Sequence, residues 1–99
     1  MKTLIVDDEA IMVRKFKRMS EEISDIEIVG AFEDPIEALY FSYQNVVDLA
    51  FLDIEMPIIN GINLAKKLRE LRPDILIVFL TAYDDYIREC NELGGDIIL

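Results

Sequence analysis

The sequence predicts an α/β fold in which helices cover both faces of a parallel β-sheet. Short apolar runs alternate with amphipathic segments along the whole chain of 99 residues, and this order is typical of repeated β-α units. The apolar runs are nearly continuous, as expected for parallel strands that are buried on both sides. At this length the chain forms one domain, which we assign to residues 1–99.

Five apolar runs predict five strands. The runs are short and rich in β-branched residues, and polar or turn-forming residues bound them. Six consecutive apolar residues make up the fourth run, which indicates burial on both faces. In chain order, the predicted strands cover residues 3–6, 26–32, 49–52, 75–80 and a last strand that begins at residue 96.

Four helical patterns lie between these strands. The second has the clearest start, because Asp34 can cap a helix and Pro35 suits the first helical position. Pro73 lies just beyond the third pattern, and the pair Gly94-Gly95 ends the fourth. In the first pattern, Val13, Phe16, Met19 and Ile23 define one apolar face. The predicted helices cover residues 10–23, 35–44, 61–71 and 84–93.

Polar residues follow three of the predicted strands: Asp7-Asp8, Asp53 and Thr81. In a doubly wound sheet such residues meet where the strand order reverses. Clustered carboxylates repel one another, and Mg²⁺ is a common neutralising ion. A nearby hydroxyl would bind a phosphate oxygen while one carboxylate attacks phosphorus. Any one of these residues alone is typical of a turn or a helix cap, but their coincidence at three strand ends predicts a phosphoryl-transfer site.

Charge and composition exclude several classes of function. The formal net charge of −10 argues against direct nucleic-acid binding and against binding to an anionic membrane surface. No apolar run approaches the roughly 20 residues that cross a bilayer. A lone cysteine, Cys90, forms no internal disulfide and suits a reducing compartment, so we expect a cytoplasmic location. The absence of histidine excludes histidine phosphotransfer and Ser-His or Cys-His catalysis.

Taken together, these motifs resemble the response-regulator receiver family along the whole chain. The resemblance implies a flavodoxin-like doubly wound sheet with strand order 2-1-3-4-5. The matching segments are Val6-Asp7-Asp8, then Leu52-Asp53-Ile54-Glu55-Met56-Pro57 with Gly61 behind it, then Leu80-Thr81-Ala82.

The resemblance implies a role for each acidic position. Asp53 matches the phosphoacceptor, which receives a phosphoryl group from a histidine kinase. Asp8 matches a direct ligand of Mg²⁺, and Asp7 matches the acid that holds the ion through water. The backbone carbonyl of Glu55 matches a third protein ligand, and Asp53 itself completes the metal site.

The remaining matches concern the switch and the loop after the phosphoacceptor. Thr81 matches the hydroxyl that moves toward the phosphoryl group, and Ala82 matches the small residue that leaves room for it. Met56, Pro57 and Gly61 match the active-site loop, where proline fixes φ and glycine relaxes steric limits.

By the same resemblance, the domain would act as an enzyme only in catalysing its own phosphorylation and dephosphorylation. It would regulate a downstream output such as transcription, through an output domain, a partner protein or a homodimer. We expect the last helix and strand to form the interaction face. The segment Thr81-Ala82-Tyr83-Asp84-Asp85-Tyr86 is similar to receivers that precede a LytTR-type DNA-binding domain.

The sequence departs from the family at its C-terminus. The family's lysine after the fifth strand has no equivalent within these 99 residues, since Lys66 and Lys67 belong to a helix elsewhere. The family's final helix is also lacking, and Ile98 occupies the position of the switch aromatic. We therefore expect a receiver domain that is incomplete at its C-terminus, as a fragment, a truncation or a natural short form.

Three other functions fit parts of the pattern. A phosphatase with an aspartate nucleophile usually has a second aspartate two residues later, where this chain has Glu55, and the chain lacks room for a substrate cap. A flavodoxin-like nucleotide binder needs a glycine-rich loop after the first strand, where Asp7 and Asp8 stand instead. A receiver-like module that binds or dimerises without accepting phosphate stays open, and phosphorylation of Asp53 separates it from the main interpretation.

Overall fold

The computed structural model describes residues 1–80 and 97–98. Thr81, Ala82 and the predicted helix over residues 84–93 lie outside this part of the chain. Within the described residues, no helix is both long and apolar enough to cross a membrane. The elements are β1 (Lys2–Val6), α1 (Ala10–Ser20), β2 (Glu27–Phe32), α2 (Pro35–Gln44), β3 (Leu49–Leu52), α3 (Gly61–Leu71), β4 (Leu76–Phe79) and β5 (Ile97–Ile98).

The five strands form one parallel sheet in the order β2-β1-β3-β4-β5, as predicted. The last residues of the central strands are in register, because Val6 lies opposite both Phe32 and Leu52, and Leu52 lies opposite Phe79. The strand order reverses between β1 and β3, where a doubly wound sheet opens a crevice. The residues that follow β1 and β3 therefore emerge side by side at that crevice.

The sheet separates the core into two clusters. On one face, Leu52 and Phe79 belong to the same buried cluster as Ile62 and Leu68 of α3. On the other face, Phe16 of α1 stacks on Phe51 of β3, with ring centroids 6.2 Å apart. Side chains alternate between faces along a strand, so β3 and β4 supply both clusters. This double burial explains why the strands read as continuous apolar segments.

Two helices differ from the prediction in detail. α1 ends at Ser20 rather than Ile23, because the backbone N–H groups after it bond three residues back in a tight turn. Met19 and Ile23 of the predicted apolar face are both about half exposed. α3 has the predicted bounds, and its spacing predicts an apolar face of Ile62, Ala65, Leu68 and Leu71. Leu71 is nevertheless partly exposed, and Leu64, which that face leaves out, is fully buried.

Side-chain caps fix the starts of α2 and α3. The Asp34 carboxylate accepts a hydrogen bond of 2.8 Å from the Ile36 N–H, which confirms the predicted cap. Asn60 performs the same role for α3 by accepting from the Asn63 N–H at 2.9 Å. The cap at Asn60 places the first turn of α3 directly behind the loop that follows β3.

That loop contains a strained turn centred on Ile58. The Ile59 N–H donates to the Pro57 carbonyl oxygen at 2.8 Å, and Ile58 between them has a φ of 73°. A three-residue turn with positive φ at its centre is rare and strained, and a β-branched residue fits it poorly. Because the Ile58 side chain is 88% exposed, burial does not offset the strain.

Replacing Ile58 with glycine should raise the free energy of unfolding by about 1 kcal/mol. Relief of roughly 1–3 kcal/mol of backbone strain outweighs the entropic cost of a glycine, about 0.5–1 kcal/mol. Urea denaturation followed by circular dichroism measures the change. Ile58→Ala is the matched control, since it removes the exposed apolar atoms but keeps Cβ. Equal gains in both variants would assign the benefit to lost apolar surface and not to strain.

Candidate functional site

Three carboxylates converge at the crevice between β1 and β3. Oxygen atoms of Asp7, Asp8 and Asp53 all lie within 4.8 Å of one another. The side chains of Asp7 and Asp53 are 3% and 8% exposed, respectively, whereas Asp8 faces solvent. The structure thus brings together the three acids that the sequence placed at strand ends, with two of them buried and one open to solvent.

Backbone hydrogen bonds hold the two buried acids in place. The Asp53 N–H donates to the Val6 carbonyl oxygen at 2.9 Å, and the Asp7 N–H donates to the Phe32 carbonyl oxygen at 3.1 Å. These bonds extend the sheet ladder one residue beyond the strands. The Asp7 carboxylate also accepts from the Glu9 N–H at 2.9 Å, which orients it at the entrance of α1. The positions of both carboxylates therefore follow from the sheet register.

Gly61, the first residue of α3, lies directly against the backbone of Asp53. A Cβ atom built at position 61 would stand 2.0 Å from the Asp53 carbonyl oxygen, far inside any allowed contact. The Gly61 N–H also donates to the Ile54 carbonyl oxygen at 2.7 Å. Close approach thus requires glycine here, and it ties the start of α3 to the residue that carries the central carboxylate.

Burial and mutual repulsion raise the proton affinity of this cluster. Burial, followed by the charge of Asp7 and a hydrogen bond with Asp8, raises the pKa of Asp53 from 3.8 to about 7. Burial is also the main cause that raises the pKa of Asp7, and the charges of Asp8 and Glu9 add to it. A hydrogen bond from the Glu9 backbone opposes the shift at Asp7. A positive ligand at this place would relieve repulsion that the fold itself imposes.

The other predicted site residues lie around this centre. Glu55 is exposed, and a hydrogen bond from its backbone to Asp53 partly opposes the rise in pKa. Met56 is buried and Pro57 is exposed. Lys66 and Lys67 lie on the exposed side of α3. The switch positions 81 and 82 fall outside the described residues.

Sequence reasoning missed two features of the site. The Glu9 N–H that orients Asp7 was not identified, although an aspartate two residues before a helix entrance is a recognised signal for this turn. The strained turn at Ile58 was also missed, because nothing in an isoleucine indicates a positive φ.

In sequence, the chain is similar to bacterial transcriptional regulatory proteins. The family model of the response regulator receiver domain matches residues 3–99 of this chain. The transcriptional regulatory protein YpdB of Escherichia coli is 38% identical over 100 residues, which cover 100% of this chain and 41% of YpdB. BtsR of the same organism is 41% identical over 100 residues, which cover 99% of this chain and 41% of BtsR. The chain thus spans about two fifths of the length of these curated relatives.

Solved structures show the same fold. The response regulatory domain of MrkE from Klebsiella pneumoniae superposes with a TM-score of 0.91 and 34% identity, covering 100% of this chain and 81% of that one. TrrA from Thermotoga maritima, in complex with Mg²⁺-BeF, gives a TM-score of 0.86 and 35% identity, covering 100% of this chain and 85% of that one. These likenesses confirm the predicted flavodoxin-like arrangement.

Without divalent cations, the free energy of unfolding should fall as pH rises from about 4 to about 7. Across this window folded Asp53 keeps its proton, with a pKa of about 7, while the unfolded side chain, with a pKa near 3.8, has lost it. The folded state therefore binds more protons, and stability decreases with pH. Asp53→Asn should match the parent near pH 4 and exceed it by about 2–4 kcal/mol above pH 7.

Urea denaturation at a series of pH values in the presence of a chelator measures this difference. Glu22→Gln, a substitution of an exposed acid beyond α1, is the control and should leave the pH dependence unchanged. A stability difference between Asp53→Asn and the parent that does not vary with pH would contradict the raised pKa.

Gly61→Ala should lower the free energy of unfolding by about 2 kcal/mol or more, because its Cβ forces the backbone of Asp53 or the start of α3 to move. Asn63→Ala, an exposed change in the same turn, is the control and should cost far less. Thermal and urea unfolding measure both. Near-parental stability of Gly61→Ala would show that the contact with Asp53 relaxes easily.

Proposed function

The chain belongs to the response regulator receiver domain family, and on that basis we propose that it is a phosphorylation-switched signalling domain with Asp53 as its phosphoacceptor. One observation carries the proposal: the buried Asp53 carboxylate lies at the reversal point of the sheet, and oxygens of Asp7 and Asp8 lie within 4.8 Å. A nucleophile in this place is shielded by the fold and adjacent to groups that suit a cation.

We propose Mg²⁺ as the ion of this site. The residues fit it, because three carboxylates converge and their repulsion contributes to the raised pKa of Asp7 and Asp53. Asp8 and Asp53 would bind the ion directly, Asp7 would hold it through water, and Glu55 would add its backbone carbonyl. When bound, the ion neutralises charge on the carboxylates and on the phosphoryl oxygens.

In the proposed reaction, a carboxylate oxygen of Asp53 attacks the phosphorus atom of the donor. A new O–P bond forms, the bond between phosphorus and the donor breaks, and the donor leaves with that electron pair. With a histidine kinase as donor, the broken bond is the P–N bond of phosphohistidine. Since Asp53 must be ionised to attack, its raised pKa means that neighbouring positive charge would favour the reaction near pH 7. The domain would thus catalyse only its own phosphorylation and dephosphorylation.

The wider role we propose is control of an output such as transcription, in the cytoplasm, in response to a histidine kinase. The support is the similarity to the transcriptional regulatory proteins YpdB and BtsR. This chain spans about two fifths of the length of each. An output domain of the LytTR type fits the sequence likeness described above. Thr81 would contact the phosphoryl group, Ala82 would leave room for it, and the last helix and strand would pass the change to a partner or a second copy.

Incubation with Mg²⁺ and acetyl phosphate should add the mass of one phosphoryl group to the chain. The acyl phosphate forms at Asp53, so Asp53→Asn should gain nothing, and a chelator should suppress the reaction in the parent. Asp74→Asn, an exposed acid before β4, is the matched control and should be phosphorylated like the parent. Intact mass spectrometry after short incubation measures all four samples.

Two outcomes would contradict the proposal. Phosphorylation of Asp53→Asn at the parental rate would place the acceptor elsewhere. A folded parent chain that gains no phosphoryl group under any of these conditions would favour the alternative, a receiver-like module that binds or dimerises without accepting phosphate. Circular dichroism of each sample confirms that the compared proteins are folded.

A further inference from the structure

Helix α2 carries far less charge than the other two helices of the described residues. Its sequence is PIEALYFSYQ, in which Glu37 is the only Asp, Glu, Lys or Arg residue. By contrast, α1 and α3 each carry four charged residues within their eleven. The outer surface of α2 is therefore unusual in a chain of net charge −10.

The inward face of α2 is apolar, and its outward face carries two aromatic rings beside Glu37 and Gln44. Inward, Ala38 is fully buried and Phe41 packs on Phe32 with ring centroids 5.3 Å apart. Outward, Tyr40 and Tyr43 are 68% and 61% exposed. The sheet covers the inner face of α2, whereas none of the described residues covers the rings of Tyr40 and Tyr43. Tyrosines in this situation are typical of protein interfaces.

A cavity adjoins this outer face where α2 and α3 end. It has a volume of about 270 Å³, and Arg72 is the one charged side chain among the described residues that line it. The apolar part of its wall comes from Val46, Val47, Leu68, Leu71 and Ile75. Val46 and Leu71 are also 45% and 41% exposed, which continues the apolar surface beyond the tyrosines. One face of the molecule thus carries both projecting rings and a recess.

We propose that this face, the α2 surface of Tyr40, Tyr43 and the cavity, binds a second copy of the chain around a two-fold axis. Such an interface must be self-complementary, and the α2 surface carries both projecting rings and a recess. With the two α2 helices antiparallel, the ring of Tyr40 approaches the partner's recess. This geometry also brings Glu37, near the start of α2, toward the partner's Arg72, beyond the end of its α2.

Charge favours the α2 surface over the other faces of the molecule as the contact between two copies. Two chains of net charge −10 repel across most of their surfaces. The α2 surface limits this repulsion, because Glu37 is the one charged residue within α2 and Arg72 the one charged residue among the described residues that line the cavity. A tyrosine offers about 200 Å² when fully exposed, so the two rings supply roughly 250 Å² of the about 800 Å² that each partner gives to a standard interface. We therefore expect a weak dimer.

Sedimentation velocity of the full chain tests the proposal, at about 0.15 M salt so that net repulsion is screened, with reductant and without phosphodonor. The parent chain should dimerise with a dissociation constant of about 10 μM to 1 mM. Tyr40→Arg should weaken dimerisation at least tenfold. Met19→Arg introduces the same charge at an apolar residue of α1 that is 53% exposed, and it should dimerise like the parent.

A charge exchange tests the antiparallel geometry. Glu37→Arg and Arg72→Glu should each weaken dimerisation, and the double variant should recover most of the parental affinity, because the pair is re-formed with reversed sign. Circular dichroism verifies the fold of every variant. Three results would overturn the proposal. The parent could stay monomeric up to about 1 mM, or Met19→Arg could weaken dimerisation while Tyr40→Arg does not. The third is a double variant that dimerises no more tightly than the single variants. None of these results depends on phosphorylation of Asp53.

Discussion

The site depends on a hydrogen-bonded junction just beyond the last residues of β1 and β3. The bond of 2.9 Å from the Asp53 N–H to the Val6 carbonyl, with Val6 opposite Leu52, makes the next residues of the two strands neighbours. Two buried carboxylates are thereby forced together, at a cost in electrostatic energy. The apolar strands on which they stand offset that cost, since Val6 and Leu52 are fully buried. The buried core therefore keeps the two carboxylates close together despite their mutual repulsion.

Close packing leaves the central carboxylate little freedom. Gly61 lies against the carbonyl of Asp53, and the backbone of Glu55 bonds to its side chain. These contacts fix the position of Asp53 in the absence of any cation. Binding of a cation would reduce the repulsion among the three carboxylates. The packing that positions Asp53 is thus also the packing that holds mutually repelling carboxylates together.

Much of this arrangement could be predicted from the sequence, because it rests on burial and topology. Strands that are buried on both faces read as apolar runs, and polar residues at their carboxyl ends must meet, which placed Asp7 and Asp53 together. Features that depend on local backbone energetics were not predictable in this way. The early end of α1 at Ser20, the cap at Asn60 and the positive φ of Ile58 arise from competing turns that a periodic pattern does not encode.

The central position of β1 has a consequence for synthesis of the protein. β1 precedes the other described strands in the chain, yet it pairs with β3, which lies some 46 residues further along, the separation of Lys2 from Asp48 in the hydrogen bond beside this pairing. Until that segment emerges, one edge of β1 stays open and the nascent chain pairs it only with β2. The acids after β1 then face no third carboxylate. The cluster of three carboxylates can therefore assemble only after more than half of the 99 residues has been synthesised.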